Sequence, residues 1–254
     1  MNFFSPKSAA LRYAVGRPSF HPAIIRRVRE YLSLSEPLTR ALDVGCGTGL
    51  STLALKEIAE EIIGLDASTE MVALAPTDAR IQYCIANAEY LPLRERTFDL
   101  ITLSQVFHWL DRERFLKEAG RTLRGRGWLI VYDNYFSGQT EGNAEFQRWH
   151  QESFLKKYPS PHRAWASFTE ENTRDEGFEL LNHEWHQNGI KFSVEALADY
   201  LTTQSNMIAA VEGGRETIEE ARAWLLENIR PLFGERQEAE FTFNAPIWYL
   251  RRIE

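Results

Sequence analysis

The sequence predicts an α/β fold built on a doubly wound, mainly parallel sheet, and three observations carry that prediction. Short apolar runs alternate with segments of helical period through the first half of the chain, which is how successive βα units read. The first run, Ala41-Leu42-Asp43-Val44, leads directly into glycines at 45, 47 and 49, a backbone without side chains that can lie against a ligand. The second run, Ile62-Ile63-Gly64-Leu65, ends in Asp66, 23 positions beyond Asp43. That is the distance expected for a carboxylate reaching the ribose of a nucleoside bound over the first loop. The 254 residues suffice for one large domain, and no separate second domain is required.

Each element follows from local pattern. His21-Pro22 opens a helix in which Ile24, Ile25, Val28, Tyr31 and Leu32 share a face, with Pro22 suited to the first turn. Strand 41–44 is followed by a helix to about Ala59. Strand 62–65 leads into a helix over 68–75 containing Met71 and Leu74, for which Ser68 is the natural N-cap. Strand 81–85 alternates apolar and polar positions, and strand 98–103 precedes a helix over 112–123. Gly125 and Gly127 end that helix, and Trp128 to Tyr132 reads as the fifth strand.

The glycine spacing selects the ligand. A dinucleotide fingerprint needs G-x-G-x-x-G, but the third glycine here comes one residue early, at Gly49, and Leu50 takes the required place. Nicotinamide and flavin cofactors are disfavoured. Asp43, Gly45, Gly47 and Gly49 instead match, without a gap, the first motif of the class I S-adenosylmethionine-dependent methyltransferases, which the chain resembles over roughly residues 10 to 133.

That resemblance implies S-adenosylmethionine as cofactor and a Rossmann-like, seven-stranded sheet whose last strand is antiparallel. The best candidates for the closing hairpin are Phe178 to Phe192 and Glu240 to Arg252. It also implies roles for residues. Asp66 binds the ribose, Met71 packs on the adenine ring or is plain core, and Cys46, Ala67 and Ser104, at the ends of three strands, join the cofactor-contacting set. After the third strand the family usually has Gly-Asp-Ala-Glu, where this chain has Ala86-Asn87-Ala88-Glu89. The Asn87 carbonyl can still accept from the adenine amino group, without charge. The run from Tyr13 to Pro22 resembles the segment that folds over the methionine end of the cofactor; Tyr13 and Arg17 can bond its carboxylate, or belong to a surface loop.

The resemblance divides the chain as one methyltransferase domain, 1–254, with a helical lid over 1–35, a cofactor-binding core over 36–134, a helical cap with one or more strands over 135–235 and a final strand over 236–254. The cap region is unusually aromatic: Tyr135, Phe136, Phe146, Trp149, Phe154, Tyr158, Trp165 and Phe168. Phe146, Trp149, Ser153 and Tyr158 lie along one helical stripe. They either form a small core of their own or also wall an acceptor pocket, with Trp149 and Trp165 as candidate lining. Helices near 193–203 and 217–229 flank Gly213-Gly214, read as a surface turn.

For the acceptor, His108 in Phe107-His108-Trp109-Leu110 stands just past the carboxyl end of the fourth strand. It could be a base, a donor to an acceptor oxygen, or a packing residue beside Trp109, and His108 and Trp109 are both candidates for lining the acceptor pocket. The run resembles the branch containing trans-aconitate-type carboxyl methyltransferases and the quinone-type group, which implies a small-molecule acceptor, with a carboxylate or a phenol or hydroxyl oxygen favoured. Ser104-Gln105-Val106-Phe107 lacks the motifs of base methylation, no proline precedes a cysteine, and a net charge of −7 disfavours nucleic acid and anionic membranes. No His/Cys ligand spacing points to a metal. The first residues lack a signal-peptide pattern and no run approaches a membrane span; two cysteines, Cys46 and Cys84, suit a reduced cytoplasmic interior. A catalytically silent cofactor-binding protein would keep the same loop. The sequence leaves the oligomeric state open.

Overall fold

The computed structural model describes residues 6–161 and 167–253. In chain order its elements begin with helices α1 (Lys7–Gly16) and α2 (His21–Tyr31), strand β1 (Leu38–Val44), helix α3 (Leu50–Ala54), strand β2 (Ala59–Asp66), helix α4 (Thr69–Val72) and strands β3 (Ile81–Ile85) and β4 (Phe98–Ser104). Helix α5 (Arg112–Thr122) leads into β5 (Leu123–Tyr132) and β6 (Tyr135–Thr140), then α6 (Ala144–Trp149), α7 (Leu155–Lys157), α8 (Glu170–Asp175) and β7 (Phe178–Ser193). Helices α9 (Val194–Thr202), α10 (Ser205–Glu212) and α11 (Ile218–Phe233) precede the final strand, β8 (Glu238–Arg252). Among the described residues no helix is long and apolar enough to cross a membrane.

The chain divides into two compact units, one comprising Ser19–Asn134, Arg163–His186 and Ala245–Glu254. Its strands are ordered β3-β2-β1-β4-β5-β8, all parallel except β8, which runs antiparallel to β5 with Ile130 opposite Tyr249. Leu42, Val44, Ile101, Leu103, Leu129 and Val131 are all but sealed from solvent and share one core with Phe115, Leu116 and Ala119 of α5. Runs of buried residues on central strands are the mark of a parallel sheet covered on both faces. The predicted α/β architecture with an antiparallel last strand is therefore present. It has eight strands rather than seven, because Tyr135–Thr140, read only as part of the aromatic stretch, forms β6.

Several boundaries differ from the sequence reading for identifiable reasons. The helix expected to run to Ala59 stops at Ala54 and tightens through Leu55–Glu57 into a 3₁₀ turn, because Ala59 is buried and pairs with Leu38 at the start of β2. Helix α4 is capped by Ser68, whose Oγ accepts from the Met71 N–H at 3.3 Å. It ends at Val72, ahead of the backbone restriction imposed by Pro76. Strand β5 starts at Leu123, and its pairing jumps from Phe98↔Leu123 to Leu100↔Trp128. Gly125 and Gly127 thus lie in an irregularity of the strand instead of ending a helix.

The other unit comprises Met1–Pro18, Tyr135–His162 and Gln187–Asn244. Within it β6 pairs antiparallel with β8, Phe136 opposite Phe243. The Phe136 ring meets those of Phe146, Tyr200, Phe241 and Phe243 at 5.3–6.3 Å between centroids, the first two edge-on, a geometry aromatic quadrupoles favour. The predicted stripe is displaced. His150–Phe154 forms a π-helical turn between α6 and α7, and the wider turn brings Phe146, His150, Phe154 and Tyr158 inward at a spacing of four while Ser153 stays exposed. Helix α10 occupies the stretch before Gly213, between the two helices the sequence predicts.

Gly64 on β2 illustrates how closely the first unit packs. A Cβ there would stand 2.8 Å from the Tyr83 ring and 2.9 Å from Thr52 Oγ1. Gly64→Ala is expected to cost about 1–3 kcal/mol of stability by denaturant unfolding, and less in a Tyr83→Val background. Equal costs in both backgrounds would refute the steric account.

Candidate functional site

The site begins with backbone conformation. Gly45, Gly47 and Gly49 all adopt positive φ, at 71°, 53° and 81°, a region that side-chain-bearing residues enter only with strain. Space is equally decisive at the first of them, where a Cβ would collide with the Val106 side chain at 2.6 Å. The loop after β4 is thereby seated on the glycine loop. At Gly47 a Cβ would lie 3.1 Å from Met71 Cε, so Met71, which is 3% exposed, packs over the same loop.

Two carboxylates hold this arrangement from opposite ends. Asp43 is fully buried and accepts from Ser51 Oγ at 2.6 Å, Thr52 Oγ1 at 2.7 Å and Thr102 Oγ1 at 3.1 Å. It ties β1 to the first turn of α3 and to β4. Burial pushes its pKa up to about 6, against the pull of the three hydroxyls. Asp66, at the end of β2, accepts the Gly47 N–H at 2.8 Å through one oxygen and the Ser68 N–H at 2.8 Å through the other. Its pKa is also raised, chiefly by burial, with those backbone donors and that of Ala67 opposing. Each carboxylate oxygen has two lone pairs, so Asp66 retains accepting capacity toward a ligand hydroxyl.

The remaining candidates of this unit surround that loop in sequence and topology. Cys46 is buried, with its thiol pKa pushed far up by burial and by the nearby Asp43 and Asp66 charges. Asn87 is exposed after β3, its carbonyl accepting from Tyr90 N–H, while Ala88 is buried. Glu89 accepts from Asp111 N–H at 3.0 Å. Ser104 Oγ, at the carboxyl end of β4, is buried without a hydrogen-bond partner. Buried hydroxyls rarely stay unmatched, so this atom fits a ligand group. His108 sits 5% exposed in the turn Phe107–Trp109, its ring centroid 4.9 Å from that of Trp109.

Tyr13, Arg17 and Trp149 belong to the other unit. There the Arg17 guanidinium lies over the rings of Tyr13 and Tyr200 and donates to the Thr203 carbonyl at 3.2 Å. Trp149 stacks on Trp224 and meets Phe146 edge-on. Trp165 lies outside the described residues.

Sequence reasoning passed over a buried polar group at the end of β5. His21 Nδ1 and Tyr132 Oη are 3.0 Å apart. Gln105, held at φ 57°, donates through Nε2 to the Asn134 carbonyl at 2.8 Å and through its backbone to that of Tyr132. His21, Asp133 and Asn134 are all less than a tenth exposed. The available signal was that Tyr132-Asp133-Asn134 puts three polar residues at the carboxyl end of a central strand, where open α/β sheets bind ligands.

A loop of left-handed glycines at the end of the first strand, a carboxylate on the second that clamps it, and an unmatched hydroxyl on the fourth define a nucleoside-cofactor site of the class I methyltransferase type. Comparison with known proteins agrees: residues 42–131 match the family described as "Methyltransferase domain". The chain is 34% identical over 112 residues to demethylmenaquinone methyltransferase of Thermotoga maritima, a match covering 42% of this chain and 48% of that one. It is 22% identical over 248 residues to a Dictyostelium discoideum protein named for methyl transfer, covering 96% and 92%. Its fold is shared with a solved structure from Anaeromyxobacter dehalogenans described as a type II methyltransferase, at TM-score 0.71, 21% identity and coverage of 93% and 97%. Residues 42–131 thus carry a methyltransferase domain of the class I S-adenosylmethionine-dependent type, with S-adenosylmethionine as its cofactor.

Asp66→Ala is expected to weaken S-adenosylmethionine binding by on the order of tenfold or more, since hydrogen bonds to charged groups contribute roughly 1.5–3 kcal/mol. Unchanged affinity by calorimetry would remove Asp66 from the site. Asp43 gives a pH signature. Its folded pKa near 6 exceeds its ordinary 3.8, so the folded state binds the proton more tightly. Stability from this group is therefore largest below the ordinary value and falls as pH rises toward 6. The stability of wild type relative to Asp43→Asn should be greater at pH 4 than at pH 7 by urea unfolding; a constant difference would contradict the shift.

Proposed function

We propose that the methyl group goes to an oxygen of a small molecule, a carboxylate or a phenol or hydroxyl, by in-line displacement, in the cytoplasm and without nucleic acid or membrane as partner. The observation that carries this reading is the buried polar group at the carboxyl ends of β4 and β5, where His108, Asp133, Asn134 and the His21–Tyr132 hydrogen bond stand in the unit that holds the glycine loop. The donors among them, on His108, Asn134 and Tyr132, can address an oxygen by hydrogen bonds. An apolar lining would not. The net charge of −7 supports exclusion of polyanions, two free cysteines suit a reducing compartment, and the name of the Thermotoga relative gives demethylmenaquinone, which is not a polymer, as that protein's acceptor.

The cofactor supplies a methyl carbon on a cationic sulfonium. The chain's tasks are to hold it and to orient a nucleophile while keeping water out. Asp66 and the Gly47 backbone would hold the nucleoside end, Met71 would cover it, and Ser104 Oγ would donate to a polar atom of the bound pair. His108 matters only where a proton must leave: a carboxylate arrives ionised, whereas a phenol or hydroxyl loses a proton that a neutral imidazole can take.

The test is release of S-adenosylhomocysteine against aliphatic and aromatic carboxylates, phenols and quinols. Turnover with an oxygen acceptor is expected; turnover confined to amines or to nucleic acid would reject the reading, and none with any acceptor would favour a silent cofactor-binding role. On a phenol, His108→Ala should lower turnover by roughly 10²–10⁴-fold and remove the acidic limb of the pH profile. On a carboxylate the change should fall on acceptor KM alone.

A further inference from the structure

We propose that the outer edge of β7 pairs antiparallel with β7 of a second copy of this chain, in the register that sets Trp185 opposite its own counterpart. The inference does not rest on the acceptor reading. Strand β7 runs for 16 residues, far beyond the five or six usual in globular proteins, and among the described residues it pairs with β8 alone. Its other edge therefore presents a long row of backbone donors and acceptors, the template on which another strand adds. Native edges of this kind are commonly guarded by proline, and β7 contains none.

Exposure alternates strictly along the strand. Odd-numbered residues from Glu179 to Lys191 are exposed, and even-numbered ones from Leu180 to Ile190 are half-buried. On the exposed face Trp185 is 65% and Leu181 40% accessible, large apolar groups that a solitary edge strand has no reason to display. Two copies related by a two-fold axis perpendicular to the sheet keep their faces on the same side, so odd residues must meet odd and even meet even.

That rule leaves few registers, and the sequence distinguishes among them. With Trp185 on the axis, Glu179 faces Lys191 of the second copy at both ends, Leu180 faces Ile190, Leu181 faces Gly189, His183 faces Gln187, and the two Trp185 rings form an aromatic cross-strand pair. No like charges oppose each other. Moving the axis to residue 184 would set Glu184 against itself, and moving it to 186 would set His186 against itself and Leu181 against Lys191. Glu184 is already engaged by Arg27 at 2.7 Å and by Tyr249 at 2.6 Å, so its cross-strand neighbour His186 adds nothing to the argument. Opposite charge at both ends of one strand, with apolar groups between them, is a self-complementary pattern that fits a two-fold partner of identical sequence.

The test is sedimentation velocity across a concentration series, with melting curves to verify that each variant is folded. Wild type is expected to dimerise. Glu179→Lys and Lys191→Glu each turn two attractive pairs into repulsive ones, and each should raise the dimer dissociation constant by about tenfold or more. The double variant restores opposite charges in exchanged positions and should return the constant toward wild type. Trp185→Cys, oxidised in air, should give a disulfide-linked dimer, since the residue faces its own copy across the axis. A wild type that stays monomeric at every concentration would overturn the proposal. So would a dimer indifferent to both single reversals, a double variant no better than the singles, or a Trp185→Cys variant that does not cross-link.

Discussion

The hydrogen bond from Gly47 N–H to the Asp66 carboxylate joins the two strands on which the cofactor site depends. A loop with three left-handed glycines has a large conformational entropy to lose on folding. What compensates is a set of fixed acceptors: the Leu65 carbonyl takes the N–H groups of Gly45 and Cys46, Asp66 takes that of Gly47, and the Cys46 carbonyl takes that of Gly49. The loop is thus shaped by β2 as much as by its own sequence. Asp43 completes the support from below by collecting hydroxyls from α3 and β4. Both carboxylates are buried and cost desolvation, which charge-assisted hydrogen bonds offset only while every donor is in place.

This division of labour changes the meaning of residues that a motif treats as equivalent. Asp43 and Asp66 are both acidic residues at strand ends, yet the hydroxyls of Ser51, Thr52 and Thr102 occupy the first, while the second meets only backbone donors and keeps capacity for a ligand. Helix α3 spans five residues. A dipole that short adds little to anion binding, so the individual N–H groups and Ser104 Oγ matter more than the positive end of the helix.

The parallel core was legible because its signals are local: apolar runs of four or more residues, glycine spacing, a capping serine before Met71. The boundaries were less so. The helix expected to reach about Ala59 stops short because Ala59 and Ile62 are claimed by pairing with Leu38 and Ala41, an interaction no local window contains. The cap was legible in composition and not in phase, since one π-helical turn moves every later residue around the helix axis. Strand β6 was hidden because it alternates weakly, and its partner is more than a hundred residues away, with Tyr135 opposite Asn244. At the site, the glycine loop and Asp66 could be read from spacing. The His21–Tyr132 contact could not, because it joins residues 111 positions apart.

Cys46 stands inside the ligand loop, where a thiol would ordinarily invite oxidation or alkylation. Burial, with two carboxylates close by, holds it in the protonated form, and it is the thiolate that reacts. The loop can therefore keep a small polarisable side chain against its neighbours while remaining indifferent to the redox state of its surroundings. Electrophilic reagents would be directed instead to the partly exposed Cys84 on β3, so thiol labelling of the native protein would mark the sheet without touching the loop that binds the cofactor.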